Sequence, residues 1–172
     1  MSKVISLKKI DLTEEAKKID KILTTSTELA SVLLSISFID ELLERLLRSK
    51  FIKKSNTVNR LLEKGILGSI KAKIDIAYCL ELISKIQLQD LDTLIDIRNL
   101  FAHHYKDISF NNPEITNLCD KLHLPKSYLN SIEEQKQREN LEKITGEYRR
   151  AKFYISAIMI INSIILSLES NS

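Results

Sequence analysis

The sequence predicts an all-α protein, built as a bundle of four main helices with short accessory helices. Only 3 glycines and 2 prolines occur in 172 residues, whereas sandwiches and barrels need a turn every few residues. Apolar residues recur at intervals of three and four along most of the chain. The hydrophobic fraction of 44% is enough for a packed interior. These observations exclude a β-rich fold, and they exclude disorder over most of the chain.

The first 51 residues predict an irregular segment, then a short helix and then a long one. Residues 1–10 are expected to be irregular, and residues 11–170 to form a single helical domain. A short helix is predicted over 11–23, after plausible capping residues. The most continuous pattern covers 27–51, where apolar positions persist for about seven turns without a breaker.

The next segments predict a short helix around 58–63 and a longer one from Ile70 to about Ser84. A further long helix is predicted from Leu88 to about His104. Pro113 is favoured at the first position of a helix and predicts a short one over 114–122.

The remaining chain alternates between polar and apolar character. Residues 131–143 are almost wholly polar and predict a solvated helix or partly a loop, although Ser131 and Glu134 have the spacing of a capping box. A core-facing helix is predicted over 144–168. Within it lies an uncharged run from 153 to 168, which is shorter than the roughly 20 residues that a membrane-spanning helix needs. A buried terminal helix is therefore expected, and no membrane partner.

Composition excludes several function classes. The net charge of +3 is too mild to identify a nucleic-acid binder by itself. Cys79 and Cys119 lie in helix-like patterns and are expected to be free thiols of a cytoplasmic protein. Cys119 and His123 could share a helix face, but zinc needs further ligands. We therefore expect no metal site and no cofactor.

The predicted helix around residue 98 has an unusual pattern of charges. Steps of 100° per residue place Arg98 in the middle of an apolar face, where an unpaired guanidinium would be costly. One interpretation pairs Arg98 with Asp40 or Glu44 and places His103 at the end of the helix, where the dipole favours a cation. The other interpretation brings two copies of Arg98 and His103 together around one cleft, if two protomers pack this helix about a twofold axis.

Two resemblances bear on this choice. Residues 98–105 read RNLFAHHY, which resembles the R-N-x-x-x-H-x-Y motif of the HEPN superfamily. Residues 67–78, 97–103 and 109–115, together with Cys119, resemble the mannitol-operon repressor family over about 25–168. Two positions depart from that family, which favours arginine where Lys73 stands and glycine where Glu81 stands.

The HEPN resemblance implies a HEPN-like homodimer that acts as a metal-independent endoribonuclease, such as a toxin or defence effector. Arg98 would then hold the scissile phosphate and His103 would transfer protons. Supporting roles would fall to Asn99, His104 and Tyr105. An RNA-binding surface is expected from basic residues in two clusters, namely Arg45, Arg48, Lys50, Lys53, Lys54, Arg60, Lys64, Arg149 and Arg150.

The repressor resemblance supports a different class of function. It implies a non-catalytic transcriptional regulator or adaptor that acts through protein contacts, because no helix-turn-helix or zinc-finger spacing is visible in the sequence. The partner would then be a DNA-binding regulator, whereas a toxin would have a cognate antitoxin. We expect the ribonuclease, with the regulator as the alternative.

Overall fold

The computed structural model describes residues 11–53, 55–104, 107–126 and 145–170. At 64 and 145–148 it describes the backbone only. The described residues are mainly helical, joined by turns, and contain no strand, which confirms the predicted all-α class. The irregular segment predicted for 1–10 and the polar stretch 131–143 lie outside them. Within the described residues, the helices include α1 (Glu14–Thr25), α2 (Glu28–Lys50), α3 (Asn56–Asn59), which continues as a π-helical turn (Arg60–Lys64), α4 (Ile70–Cys79), α5 (Lys85–His103), α6 (Pro113–Lys121) and α7 (Thr145–Glu169).

Helix α2 is the centre of the bundle, and it packs against α1, α4, α5 and α7. Threonine caps begin both α1 and α2, since the Thr13 hydroxyl accepts from the Ala16 N–H and the Thr27 hydroxyl accepts from the Ala30 N–H. The apolar stripe of α2 is buried from Val32 to Leu47. This confirms the helix that the most continuous apolar pattern predicts over 27–51.

Helix α7 is a core helix of this bundle. Its stretch Arg149–Glu169 is long and apolar enough to cross a membrane, but 61% of its most apolar window is buried inside the protein. The rings of Phe101, Phe110 and Phe153 contact one another in series in tilted arrangements, at centroid distances of 5.2 and 5.8 Å. They fix the C-terminal end of α5 and the loop after it against the first described turns of α7.

The connection between α4 and α5 differs from the prediction, which continued the first helix to Ser84 and began the second at Leu88. The chain leaves α4 through a Schellman motif, because Leu82 N–H donates to Ala77 O and Glu81 N–H donates to Tyr78 O. Helix α5 then begins with a capping box between Ser84 and Gln87. That S-x-x-Q spelling was visible in the sequence and could have placed the boundary.

Candidate functional site

The C-terminal half of α5 carries the residues predicted to be catalytic, and it presents them to solvent. Arg98, His103 and His104 are exposed, and Asn99 is half-buried. The Arg98 guanidinium donates to the neighbouring Asn99 Oδ1 at 3.0 Å. Arg98 and His103 diverge by about 140° around the helix axis, because successive residues turn by about 100°. Tyr105 lies outside the described residues.

The prediction that Arg98 lies within the apolar face of α5 is wrong, and Asp90 explains why. The buried residues of α5 are Asp90, Leu91, Leu94, Ile97 and Phe101. Because Asp90 and Ile97 are buried, the centre of the observed buried face of α5 lies about 60° around the helix axis from the centre of the predicted apolar face. Arg98 thereby moves from the centre of that face to its exposed flank.

Asp90 can be buried because each oxygen of its carboxylate has two polar groups within hydrogen-bond distance. Its Oδ1 accepts from the His123 N–H at 2.8 Å and lies 3.0 Å from His123 Nδ1. Its Oδ2 accepts from the Leu124 N–H and from the Ser156 hydroxyl, both at 2.9 Å. This carboxyl group therefore joins α5, α7 and the turn that follows α6.

The alternative prediction, that Arg98 pairs with Asp40 or Glu44, is also wrong because Lys73 occupies that position. The Lys73 ammonium lies 2.9 Å from Asp40 Oδ1 and 3.0 Å from Glu44 Oε2, and its side chain is 4% exposed. Burial alone would lower the pKa of Lys73, but the hydrogen bonds and charges of Asp40 and Glu44 outweigh it and raise that pKa. This buried cation joins α4 to α2, at a position that sequence reasoning treated only as a departure from a family pattern.

The predicted basic surface is partly neutralised. Arg45 donates to both carboxylate oxygens of Glu15. Arg48 bonds Glu44, Asn59 and Glu63.

The other predicted basic residues have mixed environments. Lys50, Lys53 and Arg60 are exposed, and Arg149 and Arg150 are half-buried. Arg150 donates to the Ser26 carbonyl, so it ties α7 to the connection between α1 and α2. Lys54 and the side chain of Lys64 lie outside the described residues.

Neither cysteine forms part of a reactive cluster in the described chain. Cys119 is buried, and burial raises the pKa of its thiol to about 12, so that it stays protonated. Cys79 is an exposed free thiol. Across the described ranges, no three His, Cys, Asp or Glu side chains are grouped as metal ligands. The His123 ring, whose sequence spacing suggested a shared helix face with Cys119, lies 3.0 Å from Asp90 Oδ1 instead.

The protein is thus a helical bundle in which the buried groups Lys73 and Asp90 join helices. The side chains of Arg98 and His103, from the sequence motif on α5, are exposed to solvent. A family model described as "Mannitol repressor" matches residues 11–170. The chain therefore belongs to the mannitol repressor family, as its motifs indicated. No relative among curated proteins matches it.

Two solved structures have a similar fold over most of this chain. One is MtlR in the MtlR-HPr complex from Escherichia coli, with a TM-score of 0.64 and 18% identity, covering 88% of this chain and 99% of that one. The other is YggD from Shigella flexneri 2a, described as a possible transcriptional regulator, with a TM-score of 0.64 and 11% identity. It covers 90% of this chain and 98% of that one.

These findings correct the functional prediction. The ribonuclease prediction, with its toxin role, is wrong, because the family is one of mannitol repressors and a structural neighbour is described as a possible transcriptional regulator. The comparisons give no support for RNA as a partner. The HEPN likeness, the homodimer and the functional importance of Arg98 and His103 stay predictions.

Proposed function

We propose that this chain is a non-catalytic transcriptional regulator of mannitol-use genes that acts by binding other proteins. The observation that carries the proposal is the family match over residues 11–170. The nearly complete overlap with a relative solved together with HPr supports protein binding as the mode of action.

The distribution of charge agrees with this role. The buried charged groups Asp90, Lys73 and Lys152 each form hydrogen bonds that join different helices or turns of the bundle. Arg98, His103 and His104 are exposed along one end of α5. Exposed arginine is a frequent contributor to protein interfaces, so we include these three residues in the surface open to partners.

The test has a cellular arm and a purified arm. A strain that lacks this gene should show raised expression of a mannitol-use reporter, and the wild-type gene should restore repression. The purified chain should bind the cognate HPr protein by isothermal titration calorimetry. A reporter indifferent to the deletion, together with no heat of binding, would overturn the proposal.

A further variant tests whether the exposed C-terminal end of α5 belongs to the surface that binds partners. Replacing Arg98, His103 and His104 together by alanine should weaken either repression or HPr binding while the thermal unfolding midpoint stays unchanged. Replacing the exposed Lys17 and Lys18 of α1 by alanine is the matched control, because these lysines are also exposed and lie on another helix. Equal behaviour of both variants would remove the end of α5 from the partner surface.

A further inference from the structure

His123 is an exposed histidine whose ring is paired with a buried carboxylate. Its Nδ1 lies 3.0 Å from Asp90 Oδ1. The His123 side chain is 48% exposed, whereas the Asp90 side chain is 0% exposed. The imidazole therefore lies at the surface, with one nitrogen held by an aspartate and with part of the ring open to solvent.

The position of this ring is fixed by the backbone on both sides of it. The His123 N–H donates to Asp90 Oδ1 at 2.8 Å, and the His123 carbonyl accepts from the Lys126 N–H at 3.0 Å. Leu122 and Pro125 are buried. The imidazole is thus carried by a short turn that is anchored in the bundle, so little conformational freedom is lost when a reactant approaches it.

The carboxylate sets the tautomer of the ring. An ionised aspartate can only accept hydrogen bonds, and Asp90 Oδ2 already accepts from the Leu124 N–H and the Ser156 hydroxyl. A neutral His123 therefore carries its proton on Nδ1, where it is donated to Asp90 Oδ1, and has its lone pair on Nε2. The Nε2 atom has no hydrogen-bond partner among the described residues, and an imidazole lone pair of this kind is a nucleophile.

Asp90 also stabilises a positive charge on that ring. Its ion pair in the described part of the chain is with His123, while Lys152, one turn before Ser156 on α7, pairs with Asp120. When an electrophile bonds to Nε2, the ring keeps its Nδ1 proton and becomes an imidazolium. This cation is stabilised by the buried carboxylate beside it.

The charge of the surrounding surface favours an anionic reactant. Lys121 and Lys126 lie two residues before and three residues after His123, and both are exposed. The nearest acidic residue in sequence, Asp120, is paired with Lys152 at 2.6 Å. A phosphoryl donor is an anion and is therefore attracted to this turn, whereas a neutral acyl donor is not.

We propose that His123 is a phosphoryl-acceptor site, at which Nε2 takes the phosphoryl group of a donor that holds it through a nitrogen–phosphorus bond. The nitrogen–phosphorus bond of the donor breaks, and its electron pair leaves with the donor nitrogen. The lone pair of Nε2 forms the new bond to phosphorus, and the Nδ1 proton stays on the imidazolium against Asp90. A donor of this class fits because the bond broken and the bond formed are of the same kind.

This inference goes beyond the proposed function, and its test does not depend on mannitol-use genes. The full chain is incubated with potassium phosphoramidate, and the label is followed by phosphorus NMR and by mass spectrometry of peptides kept at alkaline pH. His123 should be phosphorylated on Nε2, at least about tenfold faster than His103 and His104. Those two histidines are also exposed, but no carboxylate pairs with their rings among the described residues.

The variant His123→Asn is the matched control, because its amide N–H can still donate to Asp90 from the position of Nδ1. It should unfold at the wild-type temperature, lose the fast label and keep the slow labelling of His103 and His104. Equal rates at the three histidines of the wild type would overturn the proposal. So would a label on Nδ1 of His123, because that nitrogen is assigned to the hydrogen bond with Asp90.

The variant Asp90→Asn tests the positioning role of the carboxylate. In protein shown to be folded by circular dichroism, the rate at His123 should fall to that of His103, and the product should become a mixture of the two isomers. The rate at His103 should stay that of the wild type. An unchanged rate with the same isomer would overturn the proposal, and if this variant does not fold, the isomer and the rate ratio of the wild type decide.

Discussion

The two ends of α5 differ in what their polar residues do. At the N-terminal end, Asp90 is fully buried and accepts from two backbone N–H groups and from the Ser156 hydroxyl. At the C-terminal end, Arg98 is exposed, and among the described residues its side chain has one hydrogen bond, to its neighbour Asn99. The polar residues of the sequence motif, at the C-terminal end, are therefore exposed to solvent. At the N-terminal end, the buried Asp90 joins α5 to other parts of the bundle.

This difference shows that a polar residue in an apolar pattern cannot be assigned from its own helix alone. The partners of Asp90 come from the turn after α6 and from α7, which lie 33 and 66 residues away in sequence. A buried polar group is tolerated only where such partners exist. Substitutions at the two ends should therefore have very different consequences for stability.

The largest effect is expected for Asp90→Ala. It removes the acceptor of the part-buried His123 and Leu124 N–H groups and of the buried Ser156 hydroxyl, so the free energy of unfolding should fall by about 3–5 kcal/mol. Urea denaturation followed by circular dichroism measures this. A loss below about 1 kcal/mol would show that water or a shifted turn replaces the carboxyl group.

A smaller loss is expected for Lys73→Met, about 1–2 kcal/mol at neutral pH, because Asp40 and Glu44 keep partial access to water. Burial raises the pKa of Glu44, but hydrogen bonds from Lys73 and Arg48 outweigh it and hold that pKa below its ordinary 4.5. This stabilisation is present above pH 4.5 and is lost as the pH falls through the lowered pKa.

The pH dependence distinguishes the ion pair from simple packing. The variant should lose less stability than the wild type when the pH is lowered from 5 towards 3, because one of the two cations that lower the pKa of Glu44 is gone. Urea titrations at several pH values measure this slope. Parallel curves for the two proteins would contradict the assigned role of Lys73.

Glu81→Gly should increase stability. Glu81 has a φ of 56° at the left-handed position of the Schellman motif, where a side chain is unfavourable and glycine is preferred. The expected gain is about 0.5–1 kcal/mol. Glu81→Ala is the matched control, since alanine keeps the Cβ and should give no such gain. A stabilised alanine variant would assign the effect to loss of charge instead.

The smallest effect is expected for Arg98→Ala, which should change the free energy of unfolding by no more than about 0.5 kcal/mol, as is usual for an exposed residue. It tests the comparison directly, because the arginine lies on the same helix as Asp90. Thermal and urea unfolding should both be unchanged. A loss above about 1 kcal/mol would mean that Arg98 has a structural partner after all.

Much of the fold could be predicted from local patterns. The apolar periodicity predicted α2 over 27–51, against Glu28–Lys50 in the structure, because a long amphipathic stripe has only one way to be buried. The short helix after Pro113 was predicted correctly for a similar reason, since proline fixes the start of a helix. The family resemblance was also confirmed.

The candidate site could be predicted only in part. The sequence located Arg98, His103 and the basic connection after α2, but it could not say which of these residues would be exposed. It missed Lys73 because a single lysine on a short helix resembles a solvated residue. The pairing of His123 with Asp90 also gave no signal, because the two residues lie 33 positions apart in sequence.

The order of helices, their approximate ends and the membership of a repressor family are encoded locally, in the spacing of apolar side chains, in capping residues and in short motifs. The rotation of α5 about its axis, the pairing of Lys73 with Asp40 and Glu44, and the burial of Asp90 depend on groups distant in sequence. Those groups meet only when the bundle closes, because the free energy of a buried charge is set by the partners that surround it.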